Sequence, residues 1–179
     1  MSEQKNNIVN LLDYAEKVKN KKQNKNPVSS SDYEKIAKQF LLAIHEMTDP
    51  EFATMYAFHV GPDLRVDFIA HVTTSKDIYQ MILTQDAQDA ALNFDYIALL
   101  TYGWSAPIRV EADIEDEILP PSEHPERRRV KMVIFSDKFG QQMSAISFRS
   151  EDDEYVLEDY LFDDSGTGSL SNAIKALYI

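Results

Sequence analysis

His124, Arg127, Arg128 and Arg129 stand close together in Ser122-Glu123-His124-Pro125-Glu126-Arg127-Arg128-Arg129. A His between carboxylates is one route to a general base. Arginine forks hold phosphate or carboxylate through paired N–H groups. With period two, Arg127, Arg129 and Lys131 point to one face of a strand, and Arg128, Val130, Met132 and Ile134 to the other. Such a group suits a phosphorylated small molecule. No nucleophile motif accompanies it: Gly-x-Ser-x-Gly is absent and the chain has no Cys. His-Pro before a strand also serves as a corner, and the arginines also serve to pair with the acids around them. Trp104, the only Trp, lies in Gly103-Trp104-Ser105-Ala106-Pro107, at the end of the preceding strand. It is expected to anchor the corner beneath the long loop over 108–126. Long loops on rigid strands carry function or are disordered.

Other groups carry weaker signals. His59, Arg65, Asp67 and His71 are expected on the less apolar face of a hairpin, at a spacing that does not make a compact metal site. No metal and no cofactor is expected. Acids cluster at Glu111, Asp113, Glu115, Asp116 and Glu117, and again at Glu151, Asp152, Asp153 and Glu154, with Glu158, Asp159, Asp163 and Asp164 beyond. Neither cluster has calcium-loop spacing. Glu115, Asp116, Glu117, Asp152 and Asp153 could imitate a nucleic-acid backbone for a basic protein partner; a solvated surface is the plain alternative. Ser165-Gly166-Thr167-Gly168-Ser169 precedes a helix, but no P-loop Lys follows and Asp163-Asp164 would repel an anion, so it reads as a turn and cap.

The elements that position these residues follow from periodicity. Ile8, Leu11, Leu12, Ala15 and Val18 give an amphipathic helix over 1–18. Residues 19–30, rich in Lys and Asn, read as a flexible linker. A single α+β domain is expected over 31–179. Ser31 with Glu34 fits a capping box, and Ile36, Phe40, Ala43, Ile44 and Met47 form one helical face. Alternation around Gly61-Pro62-Asp63 predicts a hairpin. A helix capped by Thr74 or Ser75 presents Ile78, Met81 and Ile82. The Phe94–Tyr102 strand follows, then a second hairpin about Asp137-Lys138-Phe139-Gly140. Tyr155 to Phe162 adds a strand, and Leu170, Ala173, Ile174 and Leu177 face inward on a last helix. The fold class is α+β: a mainly antiparallel sheet built from two hairpins plus a central strand, with helices packed on it.

A chain of 179 residues can bury a sizeable core. No run approaches a membrane span, and the polar N-terminus lacks a signal h-region, so the protein reads as soluble and cytoplasmic. The absence of Cys excludes disulfides, thiol catalysis and Cys-ligated zinc. The net charge of −12 argues against direct nucleic-acid binding. Residues 1–28 run against that balance, with six Lys facing Glu3, Asp13 and Glu16.

Ile97 to Pro107 including Gly103-Trp104-Ser105-Ala106-Pro107, then Pro121 to Val130 with His124-Pro125 and Arg127-Arg128-Arg129, then Gly166-Thr167-Gly168-Ser169-Leu170, resemble a set of small uncharacterised proteins of actinobacteria and their phages. The resemblance spans roughly residues 94–178 and implies an accessory, mobile-element origin; it brings no activity with it.

The sequence thus points first to a non-enzymatic acidic binding protein, of phage or mobile-element type, that engages a basic protein partner. An enzyme acting on a phosphorylated small molecule through His124 and Arg127–Arg129 is the alternative, and a small-ligand sensor module is the third.

Overall fold

The structure, a computed structural model, describes residues 26–45, 52–107, 119–150, 155–166 and 168–178. The expected helix over 1–18, most of the 19–30 linker, Met47 and both acidic runs at 111–117 and 151–154 lie outside the described residues.

Helix α1 spans Ser30–Ile44 and buries Tyr33, Ile36, Ala37, Phe40, Leu41 and Ile44, a stripe at helical spacing. Its cap is Ser29, whose hydroxyl accepts from Asp32 N at 3.2 Å, and not the Ser31–Glu34 box that the sequence suggests. Three consecutive serines offer competing caps; the one that wins lets Val28 pack against the core.

Strands β1 (Ala53–Val60) and β2 (Val66–Ser75) form the first hairpin. Two short helices follow. α2 (Ile78–Ile82) starts at Asp77, whose side chain accepts from Tyr79 N and Gln80 N, so neither Thr74 nor Ser75 is its cap. α3 (Gln85–Asn93) is capped by Thr84 and buries Ala87, Ala90 and Ala91. Next come β3 (Tyr96–Ser105), β4 (Arg128–Asp137) and β5 (Gln142–Phe148). A 3-10 turn over Leu157–Asp159 and the short β6 (Leu161–Asp163) replace the longer strand expected from Tyr155. α4 (Ser169–Lys175) ends the described chain with a 3-10 turn.

The six strands lie in the order β2-β1-β3-β4-β5-β6, every neighbouring pair antiparallel. The fold is therefore the α+β class read from the sequence. Helices cover both faces. α1 packs on Tyr56, Phe58, Tyr96, Ala98, Leu100, Val133 and Phe135. α2, α3 and α4 pack on Met55, Ala57, Ile97, Leu99 and Ile134. This explains why β3 opens as an unbroken apolar run, Tyr96 to Leu100: alternate residues enter two different cores, and no strand face there meets water. The α1 core is aromatic, with Phe40 4.8 Å from Phe58 and 5.4 Å from Phe135 between ring centres.

One expectation fails through register. His59, Arg65, Asp67 and His71 do not share a face. His59 lies opposite Phe68 and stacks on Phe94 at 4.7 Å, within the α3 core. His71 lies opposite Tyr56 and meets its ring edge-on at 5.8 Å, on the α1 side. Register shifts at Met55/Tyr56 and His59/Val60 break the two-residue correspondence between the strands.

No helix among the described residues is long and apolar enough to cross a membrane.

Candidate functional site: the cationic end of β3

β3 runs on through Gly103 and Trp104 to Ser105, paired all the way with β4. The sequence suggests a corner at Gly103; instead a Cβ there would make only an ordinary contact, 3.8 Å from Val130. The register sets Trp104 opposite Arg129 and Tyr102 opposite Lys131. Cross-strand partners point to the same side, so the last residues of β3 meet the first of β4 as an aromatic row beside a cationic one.

The contacts follow. The Arg129 guanidinium sits 4.7 Å from the Trp104 ring centre, and the Arg127 guanidinium 4.9 Å from it. Further in, Lys131 Nζ lies 6.0 Å from the Tyr102 ring and 5.9 Å from that of Tyr155. On the opposite face Arg128 stacks on Phe148 at 4.8 Å. Trp104 is 37% exposed and so is not the core anchor expected of it; guanidinium groups form its cover.

Turns deliver these cations. Glu123 N and His124 N both donate to Pro120 O, and Arg127 N donates to His124 O. Arg127 Nη1 reaches back to Ser122 O at 2.7 Å. His124 Nδ1 accepts from Glu126 N at 3.0 Å. That bond places the proton of a neutral His124 on Nε2 and occupies the nitrogen that would act as base, so the side chain works here as a turn brace. Arg149 N donates to Arg129 O, extending the cationic row toward β5.

Two pKa shifts describe the local medium. Burial pushes the Lys131 ammonium below its ordinary value. Burial also raises the Tyr155 hydroxyl, against the opposing pull of Arg129 and Arg149. Among the described residues, Arg127 and Arg129 form no ion pair with a carboxylate. A cleft of about 570 Å³ opens beside them, lined by Phe52, Lys76, Thr101, Tyr102 and Arg129 among others. Lys76 stands over Phe52 at 5.3 Å, so a second cation borders the same cleft. Trp104 and His124 do not line it.

The structure thus brings together Trp104, Arg127 and Arg129, and keeps His124 in the adjoining turn. Glu115, Asp116, Glu117, Asp152 and Asp153 lie outside the described residues. Of the later acids, Asp163 accepts from Ser165 and Asp164 from Ser30, so local bonds hold both. Lys76, Tyr102 and Tyr155 were not legible as members of the site. The usable signal was alternation: Tyr102 and Trp104 share a strand face as Arg127, Arg129 and Lys131 do. No group of His, Cys, Asp and Glu among the described residues is arranged to hold a metal ion.

Comparison with known proteins finds no matching family model, no matching curated protein and no matching solved structure.

Proposed function

We propose that this is a non-enzymatic binding protein whose cationic end of β3 grips a carboxylate-rich segment of a partner protein. The carrying observation is the pair of guanidinium groups at 4.7 and 4.9 Å from the Trp104 ring, unmatched by any described carboxylate. An arginine laid on an indole turns its N–H edge outward and loses little freedom when a carboxylate arrives; Arg127 spends one N–H on Ser122 O and retains others. The net charge of −12 opposes any long polyanion, nucleic acid included, so the reading is confined to a short carboxylate-bearing segment that meets the local cations. The engaged Nδ1 of His124 argues against the enzymatic alternative.

A basic partner held by Glu115, Asp116, Glu117, Asp152 and Asp153 remains the second reading; the observation favouring it is the same acidic excess. Competition between a glutamate-rich and a lysine-rich peptide for the immobilised protein separates the two. The first reading expects the glutamate-rich peptide to bind, at least tenfold more weakly with Arg127→Ala/Arg129→Ala, and to be released by salt. Binding of the lysine-rich peptide alone, unchanged by those substitutions, would replace the first reading with the second.

A further inference from the structure

β3 outruns its neighbour on one side. Its pairing with β1 ends at Thr54 opposite Leu100, and the chain bends at Phe52, just before β1 begins. Its pairing with β4 continues to Ser105 opposite Arg128. Gly103, Trp104 and Ser105 therefore have β4 along one edge and no described strand along the other. At about 3.4 Å per residue, the overhang from Thr101 to Ser105 is roughly 17 Å long. The cleft of about 570 Å³ lined by Phe52, Ala53, Thr101 and Tyr102 lies where β1 stops.

The ladder shows which way the backbone of this overhang faces. Arg129 O accepts from Arg149 N, so Arg129 turns its own N–H and C=O toward β5. Trp104 lies opposite Arg129 across β3 and β4. In an antiparallel pair, directly opposed residues either exchange both backbone bonds or turn both away from each other. Trp104 and Arg129 are of the second kind. The Trp104 N–H and C=O thus face the open edge, while its indole carries the two guanidinium groups. Lys76 borders the cleft together with Arg129, and none of its described lining residues is acidic. The outer edge of β2 is longer, but it carries Asp67 and no Lys or Arg.

We propose that the partner's acidic segment binds as an added strand along this edge of β3, continuing the line of β1. Its backbone exchanges hydrogen bonds with Trp104 N–H and C=O, and its acids meet Arg127 and Arg129 across the indole. This rests on the reading of the cationic end as a carboxylate site and adds how the ligand lies there. It narrows the partner to an extended segment. Acids at every second position share one face of a strand, so a Glu-x-Glu pattern suits the site. A helical acidic segment groups its side chains three and four apart and offers no backbone donors to the edge. An unpaired edge is a template for main-chain pairing, and the side chains beside it choose the sequence.

The test is amide exchange by NMR on the full chain with a peptide of alternating Glu and Thr, and with the same peptide methylated at every backbone nitrogen. Methylation keeps the carboxylates and removes the donors of the ladder. With the first peptide at saturation, read from Trp104 emission, exchange of the Trp104 backbone amide is expected to slow about tenfold or more. The methylated peptide should bind about tenfold more weakly or worse. Unchanged exchange at Trp104 with the first peptide bound, or equal binding of the methylated one, would overturn strand addition and leave the carboxylate site standing. Failure of the first peptide to bind at all would remove both. The comparison uses no protein variant, so no loss of folding can obscure it.

Discussion

The two ends of β3 treat charge in opposite ways. Just before its first residue, Asp95 is closed in. Its Oδ2 lies 2.9 Å from His59 Nδ1 and accepts from Val60 N at 3.3 Å, and its Oδ1 accepts from Lys138 Nζ at 3.2 Å. His59 is itself stacked on Phe94. At the far end, Arg127 and Arg129 lie on Trp104 and form no ion pair with a described carboxylate. Aromatic rings and charged groups occur at both ends, but at the far end Arg127 spends one N–H on Ser122 O, and neither arginine forms an ion pair with a described carboxylate. A cluster whose charges answer one another holds the fold; a cluster with surplus donors can hold something else. Composition alone does not distinguish the two.

The largest expected effect breaks the closed end. Asp95→Ala removes the acceptor shared by His59 and Lys138, and should cost roughly 2–4 kcal/mol in denaturant unfolding, the range for stranding one partner of a buried pair, scaled for partial exposure. Peptide binding at the other end should not change. Trp104→Ala comes next. Because Trp104 is partly exposed, it should cost about 1–2 kcal/mol, below the roughly 3–5 kcal/mol of a fully buried aromatic. A core-sized loss would move Trp104 back into the scaffold and collapse the contrast.

Acid should resolve the two kinds of buried carboxylate. At Asp95 burial raises the pKa, but the bond to and charge of His59, with those of Lys138, outweigh it and leave the group below its ordinary 3.8. Its contribution is full above that value and is lost as pH falls through the folded pKa. Asp137 goes the other way: burial raises it, and backbone N–H groups of Gln141 and Phe139 only partly offset that. Its ionised form costs stability at neutral pH, and the cost disappears as pH falls from its raised folded pKa toward 3.8. Stability should therefore rise slightly on mild acidification and fall below about 3.8, where Asp32 and Asp163, both lowered by local hydrogen bonds, add to the loss. Asp137→Asn should abolish the rise and keep the fall; a rise that survives it contradicts the assignment.

The smallest effect on stability is expected at the open end. Arg127→Ala/Arg129→Ala should cost about 1 kcal/mol or less, since exposed cation–aromatic contacts contribute about 0.5–1 kcal/mol each and are not additive. The same pair should remove most anionic peptide binding.

Local patterns made much of the fold legible. Alternation located the hairpins and strands, and the apolar stripe of α1 was visible apart from its cap. α3 was missed because its buried face is only Ala87, Ala90 and Ala91, a weak apolar signal behind the break at Thr84. The bulge at His59/Val60 could not be seen, and it is what parts His59 from His71. His59, Asp95 and Lys138 are distant in sequence and meet only once the β1-β3-β4 order exists. At the candidate site the cations and Trp104 were legible as types. Their stacking was not, because it depends on the register of two strands separated by a long connection.

Trp104 fluorescence is the most direct measurement, since it is the only indole in the chain and lies beneath both arginines. The full protein should be titrated with a glutamate-rich peptide at low and at physiological salt, alongside a lysine-rich peptide of equal length. A saturable change in emission is expected with the glutamate-rich peptide alone, weaker at the higher salt and lost in Arg127→Ala/Arg129→Ala. Emission that ignores the glutamate-rich peptide, or answers the lysine-rich one, would contradict it.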